Sequence, residues 1–199
     1  MMKQRAPVWL LLVTLFALAA CAGPSRPSFK GTDITGAAFG RQLALTDHNG
    51  KPRTLEDFRG KVVVVFFGYT QCPDVCPTTL ATLREVREKL GADGSRLQVL
   101  FVTVDPERDT QQVLAQYVPA FDPEFLGLYG SSDATARTAK EFKVFYNKAA
   151  GSSPTSYTMD HSAGIFVFDP QGQIRLFGSH GYTVDSYLHD IRMLLAESR

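Results

Sequence analysis

Val62-Val63-Val64-Val65-Phe66-Phe67 runs between Gly60-Lys61 and Gly68 without a polar interruption. A strand with one wet face alternates apolar and polar residues, whereas a strand with no polar position is buried on both faces. The chain must therefore build layers on either side of a central strand. Helical patterns supply the cover. Leu80, Leu83, Val86 and Leu90 recur at three- and four-residue spacing, which predicts an amphipathic helix over 78–90 ending near Gly91. A second buried strand is predicted over Leu97 to Val104, with helices over Thr110 to Tyr117, Ala134 to Phe142 and Val184 to Ala196.

Two turn-rich stretches mark hairpins. Asp47-His48-Asn49-Gly50-Lys51-Pro52 separates Gln42–Thr46 from Arg53–Leu55, and Asp169-Pro170-Gln171-Gly172 separates Ile165–Phe168 from Ile174–Phe177. Strands alternating with helices, then a hairpin and a last helix, predict an α/β fold with mixed strand directions, and a thioredoxin-like mixed sheet flanked by helices, with an N-terminal hairpin, fits that order. At 199 residues the chain has length for one well-buried domain, expected over 31–199. Lys plus Arg number 21 against 20 Asp plus Glu. Lys3 and Arg5 fall in a segment, 1–21, that has no acid, so the body from Ala22 is near-neutral with no basic run. Nucleic acid is excluded as the main partner, because phosphate binding needs clustered cations.

The N-terminus has the layout of an export signal: Lys3 and Arg5, an apolar run from Val8 to Ala20, then small residues before Cys21. A stretch of 13 residues falls short of the roughly 20 needed to span a bilayer. Leu18-Ala19-Ala20-Cys21 resembles the bacterial lipoprotein signal, which predicts a cleaved signal over 1–20, acylation of Cys21 and a tether over 21–30. The expected location is the bacterial cell envelope, facing the periplasm and lipid-anchored to a membrane.

Three cysteines are too few for a disulfide scaffold, so each needs its own explanation. Cys72-Pro73-Asp74-Val75-Cys76-Pro77 follows the central strand and precedes the first helix, where sites form in α/β sheets. In a helical or near-helical segment, i and i+4 place both sulfurs on one side, able to hold one metal ion or to close a disulfide. The unpaired N–H groups of the helix start are expected to lower a thiol pKa. Two inert buried cysteines are the alternative. Structural zinc is disfavoured, since no second Cys-x-x-Cys or His pair is present. Three residues between the cysteines also depart from the Cys-x-x-Cys of general thiol oxidoreductases. Two thiolates with one imidazole would suit Cu(I), and Cu(II) with a further oxygen or nitrogen ligand.

Of the four histidines, His48 and His180 fall in turn-rich segments and His189 in the last helix. His161, in Tyr157-Thr158-Met159-Asp160-His161-Ser162, leads into the strand at Ile165, which in a thioredoxin-like sheet begins beside the cysteine loop. Asp105, at the end of the second buried strand, is a candidate for orienting a ligand or a partner's thiol, and Asp109 for capping the next helix. Met159 reads as a core residue, though its thioether would also suit Cu(I).

Three separated stretches together resemble the Sco (Sco/SenC) family of copper-binding cytochrome oxidase assembly proteins. They are Phe66-Phe67-Gly68-Tyr69-Thr70-Gln71-Cys72-Pro73-Asp74-Val75-Cys76-Pro77, Val102-Thr103-Val104-Asp105-Pro106-Glu107-Arg108-Asp109-Thr110, and Met159-Asp160-His161-Ser162. The resemblance runs from about residue 30 to the C-terminus. It implies Cys72, Cys76 and His161 as copper ligands, Asp105 and Asp160 as supporting residues near the site, and a Cys72–Cys76 redox pair able to form a disulfide. It further implies a copper chaperone, a carrier and not an enzyme, serving the Cu(A) centre of cytochrome c oxidase. The expected partners are the oxidase's copper-bearing subunit, another periplasmic copper carrier and a thiol reductase. The alternative activity is thiol-disulfide reduction that keeps the oxidase's copper-ligand cysteines reduced.

Overall fold

The computed structural model describes residues 28–151, 156–179 and 181–197. The expected signal over 1–20, Cys21, the tether through Pro27, and His180 lie outside the described residues. Strands are β1 (Thr32–Asp33), β2 (Leu45–Asp47), β3 (Pro52–Arg53), β4 (Val62–Gly68), β5 (Leu97–Thr103), β6 (Leu126–Tyr129), β7 (Tyr146–Ala150), β8 (Tyr157–His161), β9 (Ile165–Phe168) and β10 (Ile174–Gly178). Helices are α1 (Val75–Leu90), α2 (Gln111–Tyr117), α3 (Ser132–Glu141) and α4 (Val184–Ala196). One mixed sheet has the order β1-β10-β9-β4-β5-β6-β2-β3, and β7 with β8 forms a separate two-stranded ribbon. Parallel pairing joins β4 to β5 and β5 to β6, while β9 lies antiparallel on the other side of β4.

The apolar run behaves as its composition demands. Val62, Val64 and Phe66 pack on one face with Leu80, Leu83 and Val86 of α1 and Ile191 and Leu194 of α4. Val63, Val65 and Phe67 pack on the other with Ala139, Phe142 and Phe166. Each such side chain, fully buried, stabilises by about 1.5–3 kcal/mol. The Phe142 ring lies 5.2 Å from Phe67 and 5.3 Å from Phe166, fastening the end of α3 to the sheet. Among the described residues no helix is long and apolar enough to cross a membrane.

Helix α1 starts three residues earlier than its apolar spacing predicts, and Pro77 occupies its third position, where a missing N–H costs no internal hydrogen bond. It stops at Gly91, whose φ of 59° lies in the left-handed region glycine tolerates. Thr110, not Asp109, caps α2: its side chain accepts from the Val113 N–H. At the domain's beginning, β1 pairs with β10, and the Lys30 and Gly31 N–H groups donate to buried Asp190 of α4 at 2.9 and 2.8 Å. The N-terminal hairpin forms as β2–β3. His48 is buried rather than solvated in its turn: its N–H donates to the Gly127 carbonyl, and its Nδ1 accepts from the Gly127 N–H at 3.0 Å.

Candidate metal centre

The site forms where β4 runs out. After Gly68 the backbone turns, with the Cys72 N–H donating to the Tyr69 carbonyl at 3.2 Å, and α1 begins at Val75. Cys76 thus lies in the first helical turn and Cys72 in the preceding loop. Both thiols are free, Cys72 half-buried and Cys76 buried, and they hydrogen-bond to one another. Gly68 allows this approach, because a Cβ there would stand 2.7 Å from Cys76 Sγ.

The expected lowering of a thiol pKa is reversed at Cys76. Burial pushes its thiol far up, and the Tyr69 N–H aimed at the sulfur offsets only part of that. Helix-start donors favour a thiolate only where the desolvation penalty does not exceed them.

His161 closes β8 opposite Tyr146. Residue 165 of β9 pairs with Phe66 near the end of β4, so the segment preceding β9 arrives beside the cysteine loop, as the sheet order requires. The imidazole meets the Tyr69 ring edge to face at 5.8 Å. Its Nδ1 lies 3.2 Å from the Met159 carbonyl oxygen. With Nδ1–H donating there, Nε2 carries the lone pair, and Nε2 is buried with no hydrogen-bond partner. That is the donor a soft metal ion would take. The three expected ligands are not, however, gathered to one point: among the described residues no three His, Cys, Asp or Glu side chains converge closely enough to hold an ion. The thiols face each other, and the imidazole stands against Tyr69.

Asp105 is buried, with its carboxylate directed to the ribbon. It accepts from the Tyr157 hydroxyl at 2.9 Å and from Arg108 Nε. Burial and then this bond push the Tyr157 phenol up to about 12, keeping it a donor. Asp160 departs from its expected supporting role. Strand alternation puts it on the side opposite Met159 and His161, and it is exposed. Met159 is a core residue, 5% exposed.

Asp109, read from sequence only as a possible cap, anchors the cysteine loop. Its carboxylate accepts from the Thr70 N–H at 3.0 Å, the Thr70 hydroxyl at 2.6 Å and the Thr103 hydroxyl at 2.6 Å. Tyr69, by sequence a core candidate beside the thiols that could shield a metal from water, supports the imidazole, and Arg108, which only its place in the quoted motif marks, supports the ribbon.

The profile described as SCO1/SenC matches residues 31–196. The chain belongs to the SCO1/SenC family. It is 37% identical over 163 residues to the mouse protein named SCO2 homolog, mitochondrial, covering 80% of this chain and 64% of that one. This SCO1/SenC chain thus spans less than two thirds of that relative. Solved relatives include ScoI of Bradyrhizobium japonicum with copper bound, at 36% identity and TM-score 0.72 over 79% of this chain and 99% of that one. Apo Sco1 of Thermus thermophilus matches at 41% identity and TM-score 0.75, over 85% and 99%. The expected family and the thioredoxin-like mixed sheet both stand, and copper is the metal bound in solved Sco relatives. The expected bacterial, periplasm-facing location does not stand. The mammalian and yeast relatives are named as mitochondrial proteins, not as proteins of a bacterial envelope. Short apolar signals before a small-residue site are a local pattern that does not by itself specify the membrane system.

Proposed function

We propose that this SCO1/SenC chain carries copper to the Cu(A) centre of cytochrome c oxidase, with Cys72, Cys76 and His161 as the ligands. The observation that carries the reading is His161 Nε2, a buried nitrogen left without a partner on a ring that packs against Tyr69, at the start of the loop that carries the free thiol pair. Such a group is costly unless something binds it, and a soft cation fits its lone pair together with two sulfurs. Both oxidation states of the cargo are compatible with this donor set, Cu(II) requiring an added oxygen or nitrogen ligand. Bringing all three donors to one ion requires imidazole and thiols to draw together. Among the described residues the ribbon bearing His161 shares no strand pairing with the main sheet, so a shift of the imidazole breaks no hydrogen bond of that sheet.

A three-ligand site leaves room for an incoming thiolate, and release proceeds by ligand exchange onto the cysteines of the copper-bearing oxidase subunit. Another copper carrier supplies the ion, and a thiol reductase keeps Cys72 and Cys76 as thiols. Phe145, 67% exposed and next to Tyr146, offers such a protein partner an apolar contact at the rim of the site. Because loading displaces thiol protons, affinity falls as pH falls.

The test is titration of the reduced protein with Cu(I) against a competing chelator. The expected result is one tightly held ion per chain, lost in Cys72→Ser or Cys76→Ser and weakened in His161→Ala. Unchanged affinity in His161→Ala would remove the imidazole from the ligand set.

A second reading is thiol-disulfide reduction of the oxidase's cysteine pair, favoured by a half-exposed Cys72 in contact with a buried Cys76. The Cys72 thiolate attacks the partner's disulfide and displaces one sulfur as a thiolate. Cys76, deprotonated, then attacks Cys72 and releases the partner as a dithiol, leaving a Cys72–Cys76 disulfide that a thiol reductase must reduce. Absence of tight Cu(I) binding in the wild type, with disulfide exchange retained, would select this reading.

A further inference from the structure

Among the described residues the β7–β8 ribbon pairs only with itself, and an isolated two-stranded hairpin is marginal in water. Its position against the body therefore depends on side chains. Met159 is buried in the core beneath it. The Lys148–Glu107 ion pair, at 2.6 Å, lies between side chains about half exposed (47% and 59%), where solvent screens it. Tyr146 and Tyr157 also pack against that core and the His161 ring against Tyr69, while the polar ties converge on one guanidinium.

We propose that Arg108 is the positioning residue that locks the His161 ribbon to the cysteine loop; the proposal rests on the copper-carrier reading of that site. Arg108 Nη1 donates to the Gln71 side-chain oxygen at 3.1 Å, next to Cys72, and to the Tyr157 carbonyl at 2.9 Å, on the strand that ends at His161. Its Nε donates to buried Asp105, which accepts in turn from the Tyr157 hydroxyl. The guanidinium lies 3.6 Å from the Tyr157 ring centroid and 5.8 Å from that of Tyr69, the residue against which the imidazole stands. One planar cation thus touches the loop that carries the thiols, the strand that carries the imidazole and the ring between them. A lysine ammonium has the charge but neither the fork nor the flat face. Residues that orient ligands from behind change metal affinity by about 10- to 100-fold when removed. The ribbon is thereby kept docked beside the cysteine loop by a residue that binds no metal.

Two measurements test this. Amide hydrogen exchange without copper is expected to quicken across β7 and β8 in Arg108→Ala and in Gln71→Ala, with β4 and β5 unchanged. Gln71→Ala leaves the Arg108–Asp105 pair intact and guards against loss of folding in the first variant. Cu(I) affinity is expected to fall about tenfold in Arg108→Ala, without rescue by Arg108→Lys. In the His161→Ala background the same substitution should cost nothing further. Unchanged exchange in the ribbon overturns the proposal. So does quickening spread through β4 and β5, which would make Arg108 a general stabiliser, or an equal affinity loss with and without His161. If the wild type fails to bind Cu(I) tightly, the carrier reading falls, while the exchange data still decide what Arg108 holds.

Discussion

The Tyr69 ring meets the His161 imidazole edge to face, with centroids 5.8 Å apart and planes at 85°. Tyr69 is the first residue after β4, and its phenol oxygen accepts a hydrogen bond from the Met159 N–H. The residue that turns the central strand into the cysteine loop therefore also props the histidine on a separate ribbon. Edge-to-face pairs of this kind contribute about 0.5–1.5 kcal/mol beyond their buried area.

Tyr69→Leu should consequently lower Cu(I) affinity by loosening the imidazole, while Tyr69→Phe, which keeps the ring, should stay closer to wild type. Competition titration of both variants decides this. Equal losses would shift the role from the ring to the hydroxyl.

Gly68→Ala should destabilise the domain by about 1–3 kcal/mol through overpacking. Its new methyl would lie 2.7 Å from both Cys76 Sγ and Phe101. Urea unfolding measures the loss, and the two thiols should also close a disulfide less readily. Wild-type stability together with wild-type thiol oxidation would contradict this account.

The cysteines should differ sharply in reactivity. Cys76 is fully buried and its thiol is pushed up, whereas Cys72 is half-buried. Iodoacetamide at pH 8 is expected to modify Cys72 first and Cys76 only after unfolding, with mass spectrometry of peptides giving the order. Comparable rates at the two sites would rule out the burial difference.

Asp190 should give the fold an acid-sensitive clasp. Burial alone would raise this carboxyl, but donation from the Tyr182 hydroxyl, the Gly31 N–H, His189 and the Lys30 N–H outweighs burial and holds it below the usual range. A group lowered on folding adds stability above its unfolded pKa and loses it as pH falls through the folded one. Wild-type stability should therefore drop below about pH 4, with a shallower acid limb in Asp190→Asn. Unfolding midpoints between pH 6 and 2 test this, and parallel limbs in both proteins would remove Asp190 from the acid response.

The long elements were legible because each carries its period in its own residues. Val62 to Phe67 shows a doubly buried strand, and the 80-83-86-90 spacing shows a helix that needs no neighbour to be recognised. Helix α4 falls at its predicted bounds. The short strands were not legible. Thr32–Asp33 and Leu126–Tyr129 are strands only because β10, β5 and β2 offer them hydrogen bonds. Asp109 shows the same limit for side chains: next to Thr110 it resembles a cap, yet it anchors Thr70, 39 residues away in sequence.

By itself the sequence determined the layered α/β body, the strand-to-helix junction that carries Cys72 and Cys76, and the motifs by which the family is recognised. Those properties are written in local composition and spacing. Tertiary structure alone decided that Cys76 is driven toward the neutral thiol, that Asp160 faces solvent, and that His161 rides on a ribbon tied to the loop through Tyr69 and Arg108. Burial, charge and reach depend on groups brought together from distant parts of the chain, and no window of sequence contains them.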